Sequence, residues 1–403
     1  MSEPTTAVRA LDPAGALAAA ADLAPSLAER AGERDARRTP PRAELAAIAA
    51  TGLLGIAVPT EDGGAGAGAR TVAEVLRRIG AADLSIAQVL QPHFAFLNAL
   101  RLRGGPEVRR RVHADVLAGA LVANAQAERG GAHSHDRRAR LAPAPSGGWV
   151  VTGTKYYATG SLFADWIAVA ADAEVPGEDV PRAHLAFVPA GAPGLRVVDD
   201  WAGMGQRTTG SGTVHLDAVE VADAFVLPQY LTFRSPTVYG AYAQLLHAAI
   251  DVGLARGALD AAAAFVRTRS RPWFESGCAQ AADDPLTVQR FGELEVAVRG
   301  AEALLAAGAG RVEDAGDTPD ADTAAEASIA VAAAKVAGGA AAVDTAGALF
   351  EVAGTRAADD GLNLHRYWRD ARTHTLHDPA RWKVQHLGRY SLTGQHPPRH
   401  AQI

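Results

Sequence analysis

The apolar residues of this 403-residue chain change their period twice, and that double switch limits the folds open to it more than any single motif does. Up to residue 118 they recur every three or four positions, the spacing that lines one face of a helix. Helices are therefore expected over 14–37, 42–53, 70–83, 85–103 and 106–118. Pro40 and Pro41 part the first two, because proline lacks an amide hydrogen and clashes with the preceding turn. Over 119–226 the period falls to two. Runs such as Trp166-Ile-Ala-Val-Ala-Ala, His184-Leu-Ala-Phe-Val-Pro and Thr213-Val-His-Leu-Asp-Ala-Val, divided by turn residues, read as the short strands of a small barrel or sandwich. Helical spacing then returns over 237–268, 284–309, 322–350 and 361–388, the composition of an antiparallel four-helix bundle. The stretch 310–320, rich in Asp, Gly and Pro, reads as a surface connector. The expected class is α+β, with a helical domain over 1–118 (its first twelve residues a frayed tail), a β domain over 119–226 and a helix bundle over 227–403.

Composition removes several kinds of partner. A net charge of -6 leaves no basic footprint for nucleic acid. The lone Cys278 allows no internal disulfide and fits a reducing compartment. No apolar run approaches the roughly 18 residues that span a bilayer, and the N-terminus shows no export signal, so a cytoplasmic protein without a membrane partner is expected. The glycine-rich 61–68 lacks the strand before and the Lys-Ser/Thr after that a phosphate loop requires, and reads as a turn. No strand–Gly-x-Gly-x-x-Gly–helix unit marks a nicotinamide site. His133 and His135 stand two apart in a polar loop without further ligands, so no metal site is expected.

Chemistry concentrates in 369–383, which holds His374, His377, two acids and four basic residues. So many ionisable groups persist together only when paired, solvated or working, and the rest of the chain is expected to build a pocket against this segment. Its upstream part, Arg366-Tyr-Trp-Arg-Asp-Ala-Arg, follows Gly52-Leu-Leu-Gly-Ile and Gly153-Thr-Lys-Tyr-Tyr-Ala-Thr-Gly-Ser-Leu-Phe-Ala-Asp-Trp in an order that resembles the acyl-CoA dehydrogenase superfamily over nearly the whole chain. Gly205-Gln-Arg-Thr-Thr-Gly-Ser-Gly-Thr, Thr268-Arg-Ser-Arg-Pro-Trp and Thr373-His-Thr-Leu-His-Asp-Pro are more similar to its flavin-dependent monooxygenase branch, typified by dibenzothiophene monooxygenase.

The resemblance implies a helical domain, a middle β-barrel and a C-terminal four-helix bundle, assembled as a homotetramer. It implies FMN, with FAD the lesser alternative, delivered reduced by a separate NAD(P)H:flavin reductase. Oxygen would add to give a C4a-hydroperoxyflavin that oxygenates a small substrate, at sulfur before the nitrogen of an amine or amino sugar. Ser161 would lie beside the flavin N5 edge, and His93 and His377 would flank the oxygen side with Asn124 hydrogen-bonding nearby. Tyr157, Thr159 and the 205–212 loop would run along the ring, with His374 a neighbour one helical turn from His377. Arg269, Arg271 and Arg356 would reach the phosphate of a neighbouring subunit's flavin, the guanidinium fork matching phosphate oxygens. Lys155 is expected to be a surface charge.

One departure from the family pattern decides the expected reaction. A dehydrogenase removes an α-proton with a carboxylate, and here the corresponding place reads His377-Asp378-Pro379. The other location for that base, 242–247, holds no acid, and Asp251 comes about a turn later. Asp378 remains as the base of a rival acyl-CoA dehydrogenase, one methylene shorter than a Glu, and reach governs proton abstraction. A non-catalytic flavin-binding scaffold is the third reading.

Overall fold

The computed structural model describes residues 11–133 and 136–403; His135 and the first ten residues of the expected tail lie outside the described residues. Six helices open the chain: α1 (Pro13–Glu29), α2 (Ala31–Arg37), α3 (Arg42–Thr51), α4 (Ala69–Ala82), α5 (Leu84–Arg103) and α6 (Pro106–Leu117). Asp12 starts α1 by accepting the Gly15 amide at 2.7 Å, and Asp83 does the same for α5 with Ile86 at 3.2 Å. The single helix expected over 14–37 is two, because the backbone leaves helical angles at Arg30 (φ -110, ψ 8). Beyond that break Arg34 is buried and holds Asp83 at 2.7 Å and Glu44 at 2.8 Å, joining α2, α3 and α5. The second helix stops at Thr51 rather than residue 53, since Gly52 adopts φ 87. α5 is buried on every side from Leu84 to Leu100, the mark of a central core helix.

Eight strands follow: β1 (Val122–Ala125), β2 (Arg140–Pro143), β3 (Trp149–Ala158), β4 (Trp166–Ala173), β5 (Arg182–Pro189), β6 (Leu195–Val198), β7 (Gly212–Val221) and β8 (Val226–Leu227). They form one mixed sheet in the order β6-β7-β3-β2-β4-β5-β8, with β1 parallel to β4. Among the described residues that path does not return to β6, so the expected closed barrel is not shown. Register shifts between Val151 and Gly153 and between Lys155 and Ala158 bend β3, as bulges do. Lys155, expected at the surface, is fully buried and pairs with Glu128 at 2.5 Å. Lys155 lies on the same inward face of β3 as Val151, and Glu128 compensates its charge there.

The remaining helices are α7 (Tyr239–Thr268), α8 (Pro285–Ala315), α9 (Ala321–Ala353), α10 (His365–His374) and α11 (Ala380–Thr393). α7 packs close on α4 because Gly253 and Gly257 carry no Cβ; one added there would lie 2.3 Å from the Arg77 carbonyl and 2.2 Å from that of Ala81. α8 runs six residues into the expected connector 310–320, with Val312 buried, and ends only where Gly316 takes φ 64. The expected fourth bundle helix is two helices, because Pro379 cannot continue α10. α9 is long and apolar enough to cross a membrane by length and composition, contrary to expectation, yet half of that window is buried and its Lys335 is paired inside the protein.

Candidate active site

The bulge in β3 builds the first wall. Tyr157 takes φ 55, rare for a residue with a side chain, and reverses the strand toward the protein interior. Thr159 Oγ1 then lies 2.9 Å from Ser211 Oγ, and Ser211 lies 2.6 Å from Thr209 Oγ1. The Gly160 amide donates to the Thr209 carbonyl at 3.0 Å, tying the turn to the 205–212 loop. Ser161 is held in the turn by its own amide, bonded to Ala158, while its Oγ is buried and has no partner. A buried hydroxyl left unpaired carries a desolvation cost, so an arriving acceptor or donor gains by meeting it.

α10 locks that loop. A Cβ on Gly205 would lie 2.1 Å from the Arg369 carbonyl, so only glycine allows the approach. The Gln206 amide donates to Asp370 Oδ1 at 2.6 Å, and Arg369 binds Asp35 and the Met204 carbonyl. Burial, followed by the nearby Asp35, pushes the Asp370 carboxyl up to about 7.

The break after α10 places His374 and His377 against α7 and α5. His374 Nδ1 donates to Asp251 at 2.5 Å, and Lys335 Nζ donates to the other oxygen of Asp251 at 2.9 Å. Burial raises the Asp251 pKa, but His374 and Lys335 prevail and hold it at about 2. His374 Nε2 lies 3.1 Å from both Gln88 Oε1 and His247 Nδ1. His377 Nδ1 donates to the His374 carbonyl at 2.8 Å, and its Nε2 lies 3.3 Å from Gln88 Nε2. His377 has an open side; the protein packed round the rest of it, and then His374, draw its pKa down to about 4. One nitrogen from each of His247, His374 and His377 falls within 4.8 Å of the others, a spacing a metal can use.

The structure gathers only part of the expected set. His374 and His377 are brought together, and His374 is fully buried. His93 is buried with both ring nitrogens committed to main chain: Nε2 donates to the Leu54 carbonyl at 2.8 Å and Nδ1 accepts the Val122 amide at 3.1 Å. Burial pushes its pKa down to about 4, so it ties the first helices to β1 as a neutral ring. Asn124 Oδ1 accepts the Gln126 amide at 3.0 Å, while its own amide donates to the Thr159 carbonyl at 3.3 Å, beside the turn of Ser161. Tyr157 is 47% exposed and meets Trp201 edge to face.

Arg269, Arg271 and Arg356 are exposed, and Arg269 at the far end of α7 stands about 33 Å from His247 at 1.5 Å per residue. Arg356 Nη1 donates to the Arg269 carbonyl at 3.0 Å beside a surface hollow of about 690 Å³. Asp378, the base of the rival reading, is buried and bonded to Lys383 at 2.6 Å. Sequence reasoning missed Gln88, His247 and Lys335. His247 and Asp251, four apart on α7, share a face, and that spacing was the available signal.

Family models cover most of the chain: the acyl-CoA dehydrogenase N-terminal domain over 17–120, the middle domain over 126–219 and the C-terminal domain over 245–382. Dibenzothiophene monooxygenase from Rhodococcus erythropolis is 32% identical over 94% of both chains. A probable FMNH2-dependent monooxygenase from Pseudomonas putida is 32% identical over 96% of both. The FMN-bound structure of dibenzothiophene monooxygenase from Paenibacillus sp. A11-2 superposes with a TM-score of 0.91 at 31% identity, covering 96% of this chain and 100% of that one. With three domain matches in order and these full-length relatives, the chain belongs to the acyl-CoA dehydrogenase family, on the branch that holds the dibenzothiophene monooxygenases.

Proposed function

We propose that this protein is a cytoplasmic, two-component monooxygenase that takes reduced FMN from a separate NAD(P)H-dependent flavin reductase and oxygenates a small molecule at sulfur. The observation that carries it is the imidazole wall of His247, His374 and His377 where a dehydrogenase needs a free carboxylate; the buried, unpartnered Ser161 hydroxyl supports it separately. Asp251 has both oxygens taken, by His374 and Lys335, and Asp378 is held through one oxygen by the Lys383 ammonium, its other oxygen buried without a partner. The names of the relatives support FMN over FAD and sulfur over the nitrogen of an amino sugar.

FMN, when bound and reduced, supplies the electrons that activate O2. The residues fit it. Ser161 Oγ offers a donor or acceptor to the ring edge, with Thr159, Tyr157 and the 205–212 loop along its face. His377 presents an exposed ring to the reacting side, and Gln88 and His374 hold that ring in place. His247 and His374 pack against that ring with centroids 4.9 and 5.0 Å away and fix its orientation. Arg269, Arg271 and Arg356 lie too far away to serve the same flavin as Ser161 of their own chain. They fit the phosphate of a neighbouring copy's flavin, so we place the enzyme in a homotetramer.

The test is turnover of organosulfur probes with FMN, a flavin reductase, NAD(P)H and O2. Oxygenated product that requires all four is expected. Anaerobic bleaching of bound flavin by an acyl thioester, with no reductase present, would instead support the dehydrogenase.

A further inference from the structure

Gln88 stands between two imidazole nitrogens and can satisfy only one of them in each charge state. Its amide is 2% exposed, with Oε1 at 3.1 Å from His374 Nε2 and its nitrogen at 3.3 Å from His377 Nε2. Both histidines have the other nitrogen committed as a donor. His374 Nδ1 gives its hydrogen to the Asp251 carboxylate and His377 Nδ1 gives its hydrogen to the His374 carbonyl. A neutral ring so pinned has a bare Nε2, which only accepts. An amide offers one donor end and one acceptor end, whichever way round it stands. His247 Nδ1, also 3.1 Å from His374 Nε2, can give or accept a hydrogen there. With two bare Nε2 atoms the Gln88 oxygen still faces the His374 lone pair, and with two protonated ones its NH2 faces an N–H.

We propose that Gln88 makes His374 and His377 a one-proton store, in which the pair binds one proton beyond neutrality and rotation of the amide decides which ring carries it. With the oxygen toward His374 the charge sits deep beside Asp251. With the oxygen toward His377 it sits at the open edge of the site. Gln88 is thus a positioning residue acting through both rings.

The surroundings set the count at one. Asp251 from α7 and Asp378 from the turn after α10 favour a positive charge, while Lys335 from α9, Lys383 from α11 and His247 from α7 oppose a second one. Taken singly, burial holds both rings below their ordinary pKa, His377 at about 4, with Asp251 pulling the other way at His374, so it is the amide between them that favours one proton on the pair. The bridged rings titrate as a pair, so the proton belongs to both. Its use rests on the oxygenase reading: when the charge sits on His377, the store holds an acid at the reacting edge.

Neutron diffraction on deuterated crystals of the full-length, flavin-free protein at neutral pD reads the store directly. The expected result is deuterons on both Nδ1 atoms and a total Nε2 occupancy of one deuteron over the two rings. Gln88→Glu, whose carboxylate only accepts, should deuterate both Nε2 atoms; Gln88→Met should leave both bare. Wild-type rings with both Nε2 atoms bare or both filled, or a Met variant that keeps the wild-type pattern, would overturn the proposal. The pattern is read without flavin, so a failure to find oxygenase turnover leaves this result standing, and the reverse holds as well.

Discussion

Asp251 accepts the His374 Nδ1 hydrogen at 2.5 Å with both side chains fully buried, and Lys335 closes the other carboxylate oxygen at 2.9 Å. Removing one member of such a group leaves charge uncompensated in the interior. Asp251→Asn should therefore destabilise the protein by about 3–5 kcal/mol in denaturant unfolding. The double change Asp251→Asn with Lys335→Met should cost less than the single one. A single variant as stable as wild type would show that the contact carries no such energy.

The same carboxylate sets an acid limit. Its folded pKa of about 2 lies below the ordinary aspartate value of 3.8, so its contribution is fully present above about pH 4 and is lost as pH falls toward 2. Acid unfolding of wild type should show this slope, and Asp251→Asn should lack it.

Asp370 works in the opposite sense. Its folded pKa of about 7 lies above 3.8, so the folded state holds a proton that the unfolded chain has lost, and stability falls as pH rises from about 4 to about 7. Asp370→Asn keeps an oxygen for the Gln206 amide and removes that penalty. Urea midpoints should agree between variant and wild type in mild acid, and the variant should be the more stable above neutrality.

Ser161 Oγ has no partner to lose in the free protein. Ser161→Ala should leave thermal stability unchanged or slightly raised and should weaken FMN binding about tenfold, the worth of one hydrogen bond at roughly 1–1.5 kcal/mol. Equal FMN affinity in flavin titrations would remove this residue from the cofactor site.

The far arginines give a test of assembly. Arg269→Ala paired with Arg356→Ala should weaken FMN binding without changing unfolding, and mixing this variant with Ser161→Ala should restore some intact sites in hybrid oligomers. Mixtures no better than the average of the parents would place the arginines outside any shared site.

The order of helices, strands and helices is legible because periods of two and 3.6 are local properties of the chain. Sequence reasoning missed the break before Pro379, although a proline inside the expected 361–388 helix was the signal for it. Gln88 is not legible: α5 is buried all round, and nothing in its spacing separates a working amide from a packed one. Asp251 and His374 are 123 residues apart, and their meeting depends on how α10 docks on α7. His93 misled for a similar reason. Its neighbours on α5 identify a buried histidine but say nothing of the main-chain groups that take up its two nitrogens. Lys155 shows how a buried acid, Glu128, keeps inside a charge that its residue type alone reads as exposed.

The most direct test of oxygenation at sulfur is the origin of the oxygen atom. Sulfide, thiophene and sulfinate probes, with an amine and an acyl thioester alongside, would be turned over with reduced FMN from a flavin reductase under oxygen-18 gas and the products weighed by mass spectrometry. One labelled oxygen on a sulfur product is predicted. Label confined to the amine, or an unlabelled enoyl thioester formed with no reductase present, would contradict it.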